Sequence, residues 1–363
     1  MSKKSSSKTS TGGKSSTNDL TPEQITGLKA ELCELAKTKL KPLPMEPDFA
    51  TCDDTLTRFL VARNYVVNDA FEQLKTAVEW RREFQPLTVQ CKWCHETPGF
   101  HSVRQVGFDR EGRPLMYACF AQCQTLKNSP DDVICHMVYL IEHAKRSIQT
   151  SVNNMIFIID CTGFSLSCCN LKIGKKFIQT FANCYPEVLY QFILINHSRL
   201  FHSLWKTIKC FIDPNTVKKV KLIRKDKFNE FFTTMFTNET VQWLLDEITL
   251  NKQINLSDIQ LQFWHTHSIQ CNQHDPRGTQ QYIKQCIEPL NQLIQLNKQL
   301  IQLDYNNLNV SIHMPHPNIM DCINHTLKLT NIKQLYNEMN RNFYNNEQNN
   351  NDNTSEISDQ SEE

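Results

Sequence analysis

Apolar residues first recur at helical steps from Asp53 onward, where Leu56, Phe59 and Leu60 share one face with Arg63. Asp53 or Asp54 is the expected N-cap, and Asn64-Tyr65 breaks the pattern. A second helix is expected from a cap at Asn68 to about Phe84, with Phe71, Leu74 and Val78 three and four residues apart, so the pair reads as a helical hairpin. After Gln85-Pro86 the composition changes. The turn Asp109-Arg110-Glu111-Gly112-Arg113-Pro114 leads into Leu115–Phe120, which reads as a strand. Asp131-Asp132 open a helix whose Ile134, Met137, Ile141, Ala144 and Ile148 alternate steps of three and four.

Strand and helix then alternate three times. The run Met155–Asp160 ends at a Thr162-Gly163 turn, a helix carries Ile173, Phe177 and Phe181, and a second run follows at Phe192–Ile195. A helix over Leu200–Ile212 and a strand at Val220–Ile223 complete the series. Runs without polar alternation predict parallel strands buried on both faces, hence an α/β fold. The opening Met1–Asn18 is Ser, Thr and Lys without a hydrophobic period, and Asn345–Glu363 is Asn-rich and then acidic, so both ends are expected to be disordered. Leu293, Leu296, Leu300 and Leu303 stand at steps of three, four and three, either a short coiled-coil seam or one amphipathic helix folded back on the domain. Gly12-Gly13-Lys14-Ser15 resembles the end of a P-loop, but Lys8 stands where the first Gly belongs and no strand precedes it.

Composition narrows the function classes. Of 363 residues 40% are hydrophobic, enough for a sizeable core, and 39 Lys and Arg balance 38 Asp and Glu, which argues against nucleic acid as a partner. Met1–Ser16 holds no apolar stretch, and the longest apolar runs fall far short of the ~20 residues of a membrane helix. A reduced cytoplasmic chain with transient peripheral membrane contact is expected, despite 15 cysteines. Cys91-Lys92-Trp93-Cys94-His95 has the look of half a zinc site or a haem attachment, with His101, Cys119 and Cys123 as completing ligands. No second close Cys or His pair has finger spacing, so neither metal nor cofactor is expected, and no motif places a Cys nucleophile at a strained turn, so no catalytic residue is assigned.

Four blocks resemble the CRAL-TRIO domain family, in its phosphatidylinositol transfer protein branch. They are Leu56–Arg63 with Glu79-Trp80-Arg81-Arg82, the turn Asp109–Pro114, the segment Ile159-Asp160-Cys161-Thr162-Gly163, and the stretch from Tyr185-Pro186-Glu187 through Ile195-Asn196 to Phe211–Val220. The resemblance implies a helical subdomain at 21–88, a lipid-binding domain at 89–250 with a mixed, largely parallel sheet flanked by helices around an apolar cavity, and no enzymatic activity. Residues 251–344 are left as a C-terminal helical extension between that domain and the tail at 345–363, after a disordered 1–20. It also implies that Phe201, Leu204, Trp205, Ile208 and Phe211, interrupted by Lys206 and Lys209, form a gate helix.

The same resemblance places a lipid headgroup on Arg63, Glu187, Thr216 and Lys219. A phosphodiester leaving water needs fixed positive charge and donors, and inositol hydroxyls need acceptors. Asp213 capping a helix with Pro214 in its first turn would add free amides. Departures from the family pattern are Met155 and Phe157 where choline-lipid binders carry small hydroxyls, Asn64 where a basic residue is common, Asn196-His197-Ser198 for Asn-Ala-Pro, and no Gly-Gly between Val241 and Trp264. The expected ligand is therefore one phospholipid, phosphatidylinositol first. The alternatives are a smaller hydrophobic ligand of tocopherol or retinoid type, or a lipid-sensing scaffold that recruits a partner or a second copy through Leu293–Leu303.

Overall fold

The computed structural model describes residues 20–89, 101–122, 129–165, 170–253 and 274–288, with residues 91, 93, 168, 255–257, 260 and 263 between them. Three helices come first: α1 (Pro22–Lys39), α2 (Asp53–Ala62) and α3 (Val67–Phe84). The hairpin boundaries are close to those the spacing predicts, but the caps are not. Helix α2 starts after Cys52, which makes no side-chain cap, so Asp53 and Asp54 lie in the first turn, favourable for the helix dipole. Asp54 also accepts from Arg58 Nε at 2.8 Å. Helix α3 starts after Val66, one residue before Asn68. Asn64 and Tyr65 both adopt left-handed backbone, which is how the break between the helices is made. Helix α1 carries only a weak apolar period and has no counterpart in the pattern reading. It starts at a capping box between Thr21 and Gln24 and packs Leu32 and Ala36 against Phe59, Leu60 and Leu74.

A five-stranded sheet follows in the order β1 (Arg104–Phe108), β2 (Pro114–Cys119), β3 (Met155–Asp160), β4 (Leu189–Ile195) and β5 (Val220–Leu222). Strand β1 is antiparallel to β2 and all other pairs are parallel. The hairpin turn holds because Asp109 accepts from the amides of Glu111 and Arg113 and pairs with the Arg113 guanidinium at 2.9 Å. Helix α4 (Pro130–Ser147) begins at a Ser129–Asp132 capping box and buries Ile134, Met137, Ile141 and Ala144. Asn170 caps α5 (Leu171–Cys184), and Ser198 caps α6 (Arg199–Ile208), which a 3-10 turn extends over Lys209–Phe211. After α7 (Pro214–Lys218), helices α8 (Phe228–Met235) and α9 (Asn238–Leu250) close the domain.

The sheet has two unlike faces. Tyr117, Ile158, Ile193 and Ile195 point toward α8 and α9 and, with Phe232, Phe236 and Leu244, are fully buried. Met116, Phe157, Phe192 and Val220 share the other face by register, beneath α4, α5 and α6, and there Phe192, Ile159, Val220 and Leu222 are only half-buried. Segment 275–279 covers the free edge of β1: the Thr279 amide donates to Val106 at 2.8 Å and Arg104 Nε to the Pro276 carbonyl at 2.7 Å. Among the described residues no helix is long and apolar enough to cross a membrane.

Candidate lipid site

The site is built around the ends of β3 and β4. Asp160 is fully buried at the end of β3 and accepts from the Thr162 amide and hydroxyl at 2.9 and 2.7 Å, from Asn196 Nδ2 at 2.8 Å and from the Tyr117 hydroxyl at 3.2 Å. Gly163 closes this turn in left-handed backbone, and a Cβ there would stand 2.8 Å from the Ala121 backbone, so only glycine fits. Asn196, also left-handed, is thereby tied to β3, which holds the start of α6 beside the half-buried sheet face.

The four residues expected to hold a headgroup sit in two places. Lys219 Nζ donates to Glu187 Oε2 at 2.7 Å, both side chains being about a quarter to a third exposed. Glu187 has left-handed backbone at the turn into β4, and the Lys219 carbonyl accepts from Phe192, so the pair spans β4 and β5. Thr216 lies three residues before Lys219 and is half-buried. Arg63 is exposed at the end of α2 and lines a cleft of about 470 Å³ with Asp69, Glu72, Gln73 and Thr76 of α3 and Asn183 of α5. Gln73 Nε2 donates to the Ala182 carbonyl at 2.8 Å, which holds α3 against the end of α5 just ahead of Tyr185-Pro186-Glu187.

One expectation is overturned. The amides at the start of α7 do not face an open anion site, because Asp213 Oδ1 accepts from both Asn215 N and Thr216 N, at 3.0 and 2.9 Å. Burial alone would raise the Asp213 carboxyl, but the Thr216 hydroxyl, these amides and nearby Lys219 hold it below the usual carboxylate range. The cap residue and the anion compete for the same donors, and the tethered carboxylate wins.

Arg81 and Glu142 are the positioning residues that pattern reading missed. Arg81 Nη2 pairs with Glu142 Oε1 at 2.9 Å and with Glu46 Oε1 at 2.6 Å, and its guanidinium lies 4.5 Å above the Phe49 ring. Tyr185 donates to Glu142 at 2.8 Å, so the Tyr-Pro-Glu turn is anchored to α4 and, through Arg81, to α3. The available signal was Glu142 itself, a carboxylate beside Ile141 on an apolar face.

Of the residues expected to form a gate helix, Phe201 is buried against Cys161 and Leu194, its ring 5.2 Å from Phe164, and Leu204, Trp205 and Ile208 are half-buried. The Phe211 side chain and Leu293, Leu296, Leu300 and Leu303 lie outside the described residues. On α5 the apolar stripe Ile173, Phe177, Ile178 and Phe181 is likewise only half-buried. Phe157, buried, stacks on Phe192 with centroids 6.1 Å apart, and Met155 is fully buried.

Residues 102–241 match the CRAL/TRIO domain family. The chain is 32% identical over 191 residues, 49% of its length, to a CRAL-TRIO domain-containing protein of Schizosaccharomyces pombe, of which the match covers 43%. It is 28% identical over 205 residues to the SEC14 cytosolic factor of Yarrowia lipolytica, covering 52% of this chain and 42% of that one. A phosphatidylinositol transfer protein of Eremothecium gossypii is 23% identical over 218 residues, 55% of this chain and 50% of its own. The chain thus spans about half the length of these relatives.

Proposed function

We propose that this chain, whose residues 102–241 match the CRAL/TRIO domain family, binds one phospholipid, phosphatidylinositol in preference, and exchanges or presents it between membranes. The unequal cover of the two sheet faces carries this reading. One face is sealed by α8 and α9, whereas Phe192, Ile159, Val220 and Leu222 and the apolar stripes of α5 and α6 keep partial exposure. Acyl chains lying there complete the cover. Burying hydrocarbon contributes ~0.8 kcal/mol per methylene, so two chains of about 15 carbons shielded from water account for on the order of 25 kcal/mol.

Arg63, Glu187, Thr216 and Lys219 hold the headgroup in this reading. Lys219 gives up its bond to Glu187 for the phosphate, and the freed Glu187 carboxylate accepts from inositol hydroxyls. Met155 and Phe157, both buried, stand where choline-lipid binders carry small hydroxyls, so neither position offers a hydroxyl donor to the phosphate of a choline lipid, which favours inositol lipids in this reading. Native mass spectrometry of the full chain purified from eukaryotic cells should reveal a co-purified phospholipid with an inositol headgroup. Protein that emerges empty in every preparation and moves no lipid between vesicles overturns the proposal.

A further inference from the structure

Away from the lipid-facing side chains, three buried donors converge from separate parts of the chain. Cys91 belongs to the connector after α3, His101 lies just ahead of β1, and His136 is on α4. All three residues are buried, and one ligand atom from each lies within 4.8 Å of the others. The two imidazoles stack with centroids 4.1 Å apart and an interplanar angle of 16°.

The tautomer of His136 is set by its surroundings. Its Nε2 lies 3.0 Å from the Val103 carbonyl, which can only accept, so Nε2 carries the proton and in the neutral ring the lone pair is on Nδ1. A backbone carbonyl holding the far ring nitrogen is the usual outer support of a metal-bound histidine. Ligand atoms around tetrahedral zinc stand roughly 3.3–3.6 Å apart, so donors already within 4.8 Å need to close by at most about 1.5 Å. One thiolate with two imidazoles is a borderline-soft set of the kind zinc takes.

We infer that Cys91 Sγ, His101 and His136 Nδ1 form a zinc(II) site that ties the connector after α3 to α4 and to the start of β1. On binding, the Cys91 thiol loses its proton to solvent and the imidazoles enter neutral; three protein donors leave one tetrahedral position for water. Of the completing ligands that spacing suggests, His101 is in the cluster. Cys119 is not, since it packs with the sheet face toward α8 and α9. Cys94, His95 and Cys123 lie outside the described residues, and His136, about 40 residues beyond the Cys91 motif, is the donor that only folding brings in. The site is independent of the lipid reading.

The test uses the full chain without a polyhistidine tag, expressed in zinc-supplemented medium and reconstituted with zinc salt alone. Elemental analysis should find stoichiometric zinc. Competition with a chromophoric chelator should show affinity falling more than about tenfold in Cys91→Ser and in His136→Asn. Cobalt(II) in the unaltered protein keeps the result independent of whether those variants fold. It should give tetrahedral d–d bands together with a thiolate-to-cobalt charge-transfer band. Zinc below about a tenth of stoichiometric after reconstitution, a cobalt spectrum without the thiolate band, or zinc held as tightly by both folded variants, overturns the site.

Discussion

Lys219 and Glu187 illustrate how little a polar pair says about its own purpose. Exposed by a quarter to a third, their ion pair contributes at most about 1 kcal/mol to stability, so holding the fold is a poor reason for its presence. A phosphate engaged by the same ammonium in a drier site is worth roughly 1.5–3 kcal/mol. Lys219→Ala should therefore lower phosphatidylinositol transfer between vesicles by about tenfold or more while leaving the thermal midpoint nearly unchanged. Transfer equal to the unaltered protein removes Lys219 from the site. Arg63, Glu187, Thr216 and Lys219 are expected at the headgroup from the family resemblance. That Thr216 shares its donors with Asp213 is not legible in the sequence, because capping geometry depends on backbone angles that no motif states.

Helices and strands were legible where their periodicity is strong. Helix α4 and strand β3 lie where their apolar spacing puts them, whereas α1 and the antiparallel β1 carry weak patterns and owe their form to packing against neighbours. The contact between α3, α4 and the turn into β4 depends on Arg81 and Glu142, both almost fully buried. Arg81→Met strands the Glu142 carboxylate and should cost about 3–5 kcal/mol in urea denaturation; adding Glu142→Leu should recover most of that loss. A single variant as stable as the parent refutes this account of the junction. On α6, Leu200 is 41% exposed in the first turn. Leu200→Glu suits the helix dipole and so spares the fold, yet removes apolar surface worth about 1.5–3 kcal/mol at a membrane interface. Vesicle binding by sedimentation should weaken about tenfold, and undiminished binding would mean that α6 does not touch the bilayer.

The whole molecule should be sensitive to acid. Burial alone would raise the Glu142 carboxyl, but Lys145 and Arg81, with a hydrogen bond from Tyr185, hold it down to about 2 from an ordinary 4.5. Burial, aided by Arg146, pulls the His143 imidazole down to about 4 from 6.5. In both cases the unfolded chain takes up the proton first, so stability falls as pH falls: from 6.5 to 4 through His143 and from 4.5 to 2 through Glu142. Glu142 alone accounts for about 3 kcal/mol. Urea midpoints measured from neutral pH downward should decline without a plateau above pH 4. A midpoint constant from pH 7 to 4 contradicts the assignment.

Local chemistry along the chain was enough to read the α/β class, three of the four parallel-strand boundaries to within a residue and the family blocks, because hydrophobic period and turn residues act over a few neighbours. Only the tertiary structure decided that one sheet face is sealed and the other half-covered, that Arg81 reaches Glu142, and that His136 joins Cys91 and His101. These are meetings between residues 35 to more than 100 positions apart, set by which elements pack together, and no local pattern encodes that choice.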